Sequence, residues 1–159
     1  MDNESDFTGA VFTGAGVRVP ENVTTMNIIM AKILSVLMPK AGVVPLEHEY
    51  ISRDPQVVDA YIKDPLVYDG KTTARLGTEC LSMMKRVEEE ASLITLPIFI
   101  LHGGDDKMVA RGAAEMLEAN VSSKDKTLKI YDGFYHEVHN DPGFETVLAD
   151  ILEWLESHL

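Results

Sequence analysis

Apolar positions along this chain cluster in runs of two periods. Residues 7–13 form a short β-rich stretch that closes on Gly14-Ala15-Gly16, as a buried strand entering a turn does. Leu96-Pro97-Ile98-Phe99-Ile100-Leu101 is apolar without alternation, the pattern of a parallel strand covered on both faces, which places it at or near the centre of a sheet. A third strand, Thr127-Leu128-Lys129-Ile130-Tyr131, stops at Asp132-Gly133. Between the first two strands the period changes to that of helices. Met26, Met30, Ile33 and Leu37, with Ile29 and Val36 beside them, predict a helix over 23–38 that Pro39 ends. Its broad apolar face suits either ordinary packing against the sheet or a lipid surface. Leu76, Cys80, Met83, Met84 and Val87 predict a second helix over 72–91, with Cys80 as a small core residue and Glu88-Glu89-Glu90 as a solvated face. Pro45, Pro55, Pro65 and Gly70 leave the stretch between these helices irregular, apart from a short helix opened by Asp54-Pro55. Residues 111–120 form a further helix. In the last segment Phe144, Val147, Leu148, Ile151, Leu152 and Leu155 share one helical face, and Asn140-Asp141-Pro142 supplies its expected cap and first-turn proline.

The order is one strand, a helical block, then strand, helix, strand, helix, which is the alternation of an α/β protein with a parallel sheet. Segments 1–19 and 92–159 are expected to build the sheet core, with 20–91 inserted as a helical cap. The stretch over 23–38 does not cross a bilayer. It is about 16 residues long where about 20 are needed, and Asn27, Lys32 and Ser35 interrupt it.

Composition narrows the function. With 45% hydrophobic and 25% charged residues in 159, the chain has the makings of one packed domain and not of a disordered or repetitive one. A net charge of −12 without a basic cluster repels phosphate backbones and excludes nucleic acid as a partner. The single cysteine, Cys80, offers neither a disulfide framework nor a zinc motif, and no cofactor or metal motif occurs elsewhere. The acidic start over residues 1–6 is unlike an export leader, so a cytoplasmic location is expected, with membrane contact confined to the apolar cap face.

Two loops carry titratable residues just beyond strand carboxyl ends, where open α/β sheets bind their ligands. One is His102-Gly103-Gly104-Asp105-Asp106, and the other is Asp132-Gly133-Phe134-Tyr135-His136. An Asp and a His delivered by successive strands is the arrangement in which a carboxylate orients an imidazole as general base. Turn chemistry at Gly-Gly-Asp and a core histidine beside Tyr135 are the plainer alternatives. His102 and His139 are weaker candidates, and His48 and His158 have no supporting context.

Leu101-His102-Gly103-Gly104-Asp105-Asp106, the segment from Asp125 through Tyr135-His136-Glu137, and Ile51-Ser52-Arg53-Asp54-Pro55 with Asp64-Pro65-Leu66-Val67 together resemble the monoacylglycerol lipases and bacterial lysophospholipases of the α/β-hydrolase fold, serine aminopeptidase S33-type hydrolases. The resemblance covers the C-terminal half of that fold: its sixth strand, the cap, and the seventh and eighth strands, about three parallel strands in all. It implies that Asp106 rather than Asp105 is the triad acid, that His136 is the base, and that Met108 and Glu137 line a pocket for a lipid ester; no cofactor is implied. The family's nucleophile elbow, Gly-x-Ser-x-Gly, surrounds none of Ser5, Ser35, Ser52, Ser82, Ser92, Ser122, Ser123 and Ser157. The resemblance therefore implies a truncated lipase-like serine ester hydrolase that is inactive alone. A non-catalytic interaction module, or a half-enzyme complemented in trans, is the alternative. The first strand would present an unpaired edge, so self-association and poor folding of the isolated chain are expected.

Overall fold

The computed structural model describes residues 6–159. Ser5 and the rest of the acidic start over 1–5 lie outside the described residues. Three parallel strands, β1 (Ala10–Thr13), β4 (Ile98–Gly103) and β5 (Lys126–Tyr131), form a sheet in the order β1-β4-β5. The apolar run predicted to be central is central: all six residues of β4 are buried. Ala10 to Thr13 align with Ile98 to Leu101, and Ile98 to Gly103 with Lys126 to Tyr131. β1 is shorter than the run over 7–13 suggested. Its ladder starts where Ala10 N–H donates to Pro97 O at 2.9 Å, because Pro97 has no N–H with which to extend the pairing backwards.

Alternate residues of β4 feed two cores. Ile98 and Ile100 pack with Ala114 and Leu117 of α4 (Gly112–Asn120) and with Ala91 and Ile94, which follow α3 (Ala74–Glu90). Val87, in the last turns of α3, joins the same cluster. On the other face Phe99 and Leu101 pack with Val147 and Trp154 of α5 (Phe144–His158), and the Trp154 ring stacks on Phe99 at 6.0 Å. Burial of each Ile, Leu, Val or Phe side chain among these stabilises the fold by about 1.5–3 kcal/mol.

The expected apolar stripe of α5 is only half used. Val147 is fully buried, whereas Leu148 and Leu152 are 47% and 57% exposed. Nor do Asn140-Asp141-Pro142 cap this helix as the sequence suggested. Gly143, at φ +97°, precedes Phe144 directly, and the Asp141 carboxylate turns inward to partners described below.

Between β1 and β4 the chain carries α1 (Thr25–Leu37), α2 (Pro55–Lys63) and α3. Thr24 and Asn27 form a reciprocal capping box at the start of α1, and the Asp54 side chain caps α2 ahead of Pro55 as expected. α1 lies against α3, where the Thr78 hydroxyl donates to Ala31 O at 3.2 Å. It does not pack on the sheet, and Met26 and Met30 are 65% and 58% exposed. A small antiparallel ribbon, β2 (Gly42–Val44) with β3 (Thr72–Thr73), replaces part of the stretch read as irregular. Cys80 is exposed rather than a core residue, because its helix turns that side toward the α1 groove and not toward the sheet. Among the described residues, no helix is long and apolar enough to cross a membrane.

Candidate active site

Because β4 and β5 are parallel neighbours in register, their carboxyl ends emerge side by side, and so do the two loops singled out in the sequence. Gly103 and Gly104 let those exits come together. A Cβ on Gly103 would stand 2.1 Å from Tyr135 O, and one on Gly104 would stand 3.0 Å from the Asp132 Cα. The contact is cemented by Gly104 N–H donating to Tyr131 O at 2.8 Å and Asp105 N–H donating to Phe134 O at 3.0 Å.

This junction brings Asp106 and His136 together. The Asp106 side chain is fully buried; its Oδ1 accepts from Met108 N–H at 2.8 Å and Val109 N–H at 2.9 Å, and its Oδ2 accepts from His136 Nδ1 at 2.8 Å. Asp105 is exposed. His136 remains partly open to solvent, and none of the described residues hydrogen-bonds its Nε2. With Nδ1 committed to the carboxylate, Nε2 is the nitrogen left to exchange a proton with a reacting group. Gly14, just past β1, packs on the imidazole: at φ +56° it adopts a left-handed conformation, and a Cβ there would meet His136 Cε1 at 3.0 Å. The sequence showed Gly14 only as part of a turn; nothing local indicated a glycine abutting a histidine 122 positions later.

Burial pushes the Asp106 carboxyl up, but hydrogen bonds from His136, Val109 and Met108 outweigh it and hold the pKa below the ordinary carboxylate value. For His136 the hydrogen bond to Asp106 raises the pKa above the ordinary imidazole value against the effect of burial, and the charges of Asp106 and Glu137 add to the rise. The pair is thus an anionic acceptor holding an imidazole in one tautomer and stabilising its protonated form.

The other sequence candidates lie around this pair or away from it. Met108 touches Asp106 through its backbone, and Glu137 accepts from Asn140 Nδ2 at 2.8 Å; neither lines the large cap groove or the shallower groove beside Tyr135. His102 is fully buried below the site, where its Nε2 donates to Val109 O at 2.9 Å. His158 closes α5 against Asp125, and His48 lies beside Tyr61. Ser52, Ser82, Ser123 and Ser157 direct their hydroxyls to backbone carbonyls, and none of the described serines hydrogen-bonds His136. Among the described residues, no three His, Cys, Asp or Glu side chains converge to hold a metal ion.

A family model described as serine aminopeptidase, S33, matches residues 1–143. The chain belongs to the serine aminopeptidase S33 family. As a member of that family it is 34% identical over 154 residues to a monoacylglycerol lipase of Mycolicibacterium smegmatis, a match covering 97% of this chain and 55% of that protein. It is 34% identical over 122 residues to the human monoglyceride lipase, covering 77% of this chain and 40% of the human protein. The crystal structure of the Paleococcus ferrophilus monoacylglycerol lipase superposes with a TM-score of 0.86 at 30% identity, over 98% of this chain and 62% of that one. This S33-family chain spans about half the length of the curated relatives it matches, and its three parallel strands are part of an α/β-hydrolase core.

Proposed function

We propose that these 159 residues carry the acid and the base of a serine ester hydrolase acting on lipid esters of the monoacylglycerol or lysophospholipid class, with Asp106 as the acid and His136 as the base. The observation that carries this reading is the 2.8 Å bond from His136 Nδ1 to a fully buried Asp106, with Nε2 left open. In the reaction His136 Nε2 takes the proton of a serine hydroxyl as that oxygen attacks the ester carbonyl, and then returns it to the departing alcohol. A water attacks the acyl-enzyme in the same way. Asp106 fixes the tautomer and stabilises the imidazolium at each step.

The serine itself must come from outside these residues, because none of their serines stands in a nucleophile elbow. By themselves the 159 residues turn over no ester. The reading is therefore of half a catalytic centre, completed by an elbow segment on another stretch of polypeptide. Core segments 1–19 and 92–159 would receive that segment, and cap segment 20–91 would receive the substrate. The lipid class is supported by an apolar groove of about 660 Å³ between α1, the β2–β3 ribbon and α3, lined by Met30, Leu34, Val43, Cys80, Leu81 and Met84. Exposed Met26, Val36 and Leu37 beside it suit peripheral contact with a lipid surface. Co-expression with a polypeptide supplying the first half of an S33 hydrolase tests the reading. Hydrolysis of a long-chain monoacylglycerol that needs both halves and disappears in H136A supports it; hydrolysis unaffected by H136A overturns it.

One observation favours a second reading, a non-catalytic interaction module. β1 pairs only with β4 among the described residues, so its other edge is open to β-augmentation by a partner strand. A partner that binds this edge without bringing an elbow serine would distinguish it.

A further inference from the structure

Asp141 is a carboxylate with no access to solvent. Burying that group is costly unless its oxygens are matched by donors, and here they are. Oδ1 accepts from Arg53 N–H at 2.6 Å and lies 3.1 Å from the Ser52 hydroxyl; Oδ2 accepts from Arg53 Nε at 2.6 Å and from Tyr135 N–H at 3.1 Å. The last of these is the backbone amide immediately before His136. Arg53 completes the grip: its Nη2 donates to Pro142 O at 2.8 Å, and its guanidinium lies 4.9 Å from the centre of the Phe134 ring. The neighbouring backbone follows suit, with His136 N–H donating to Tyr50 O at 3.4 Å and Glu137 N–H donating to Ile51 O at 2.9 Å.

These contacts converge on a segment that needs them. Residues 132–143 contain no helix or strand, and Gly133 within them has a left-handed backbone. The imidazole makes one side-chain hydrogen bond, to Asp106. Displacement of a reacting group by about 1 Å costs about a hundredfold in rate, so the His136 loop requires a restraint, and β5 cannot supply it beyond Tyr131. The inserted cap does, from a segment more than 80 positions earlier in the chain. We infer that Arg53 and Asp141 form a positioning pair, assisted by Ser52, through which the base of the cap holds the His136 loop in bonding range of Asp106. The inference rests on the reading of His136 as the base, but its test uses no ester substrate, so the two can fail separately.

The test is the pH profile of diethyl pyrocarbonate modification at His136, read by tandem mass spectrometry on the intact chain and its R53K, S52A, D141N and D150N variants. R53K keeps the charge but loses the Nε donor and the planar stack; D150N removes a carboxylate that bonds Lys129 and Tyr131, away from the clasp. A loosened loop breaks the bond to Asp106, so R53K and D141N are expected to move the midpoint of His136 modification downward, toward the ordinary imidazole value of 6.5. S52A should produce a smaller shift in the same direction, and D150N none. Should D141N fail to fold, R53K decides, because Arg53 is partly exposed and lysine keeps the positive charge. An unchanged midpoint in folded R53K, or an equal shift in D150N, overturns the inference.

Discussion

At Asp106 burial and hydrogen bonding act in opposite directions, and the winner sets the chemistry of the pair. Because bonding wins, the carboxylate stays ionised while fully buried, and its charge reaches His136 without water between. Replacing Asp106 with Asn keeps the shape and removes the charge. In a reconstituted enzyme, D106N should lower monoacylglycerol hydrolysis by about 10⁴-fold, as loss of the orienting acid does in triads generally, measured as kcat against the unsubstituted form. The pH dependence follows from the two directions. His136 is raised in the folded state, so its contribution to stability is complete below the ordinary value of 6.5 and fades as pH climbs through the folded value. Asp106 is lowered, so its contribution is present above the ordinary 3.8 and fades as pH falls through its folded value. Thermal melts should therefore lose stability from mildly acidic toward alkaline pH by an amount that D106N abolishes. Hydrolysis, which needs neutral His136, should rise over the same interval. That Asp106 and His136 could meet was legible in the sequence because each lies in a loop leaving a strand's carboxyl end, while the choice of Asp106 over Asp105 came from the family resemblance. Asp141 was not: it reads as a helix cap, and only the approach of Arg53 from the insertion turns it into a buried anchor.

Elements show where local pattern suffices and where it does not. β4, α2, α4 and β5 follow from runs and caps a few residues long. The β2–β3 ribbon does not, since Gly42 and Val44 find their partners at Thr72 and Thr73 across the whole of α2. α1 and α5 were recognisable as helices, but the sequence could not say which part of each apolar face is covered, because covering depends on what lies opposite. For Gly103 the reason is steric: with a carbonyl oxygen 2.1 Å from any Cβ, G103A should separate the two loop exits and cost about 3 kcal/mol or more, seen as a lowered melting temperature. On α5 the two halves of the stripe should part company. V147A removes methyl groups from a sealed core and should destabilise by about 1–3 kcal/mol. L148E with L152E touches an exposed face and should leave the melting temperature nearly unchanged.

On the scale of the whole molecule, the two core clusters seal β4 on both faces without further strands. What the molecule leaves open is equally specific. One edge of β1, the outer leucines of α5 and the Nε2 of His136 all await company among the described residues. On the proposed reading, with Asp106 as acid, His136 as base and no elbow among these residues, the chain should behave as a receptive half, and a fluorophosphonate probe, which captures only an activated serine, reads that state directly. The central measurement is labelling of this chain alone, and of this chain co-purified with a polypeptide carrying a Gly-x-Ser-x-Gly elbow. No label on the chain alone, together with labelling of the elbow serine that H136A abolishes, is the predicted result. Labelling of any serine in these 159 residues on their own, or labelling of the elbow serine indifferent to H136A, would contradict the account.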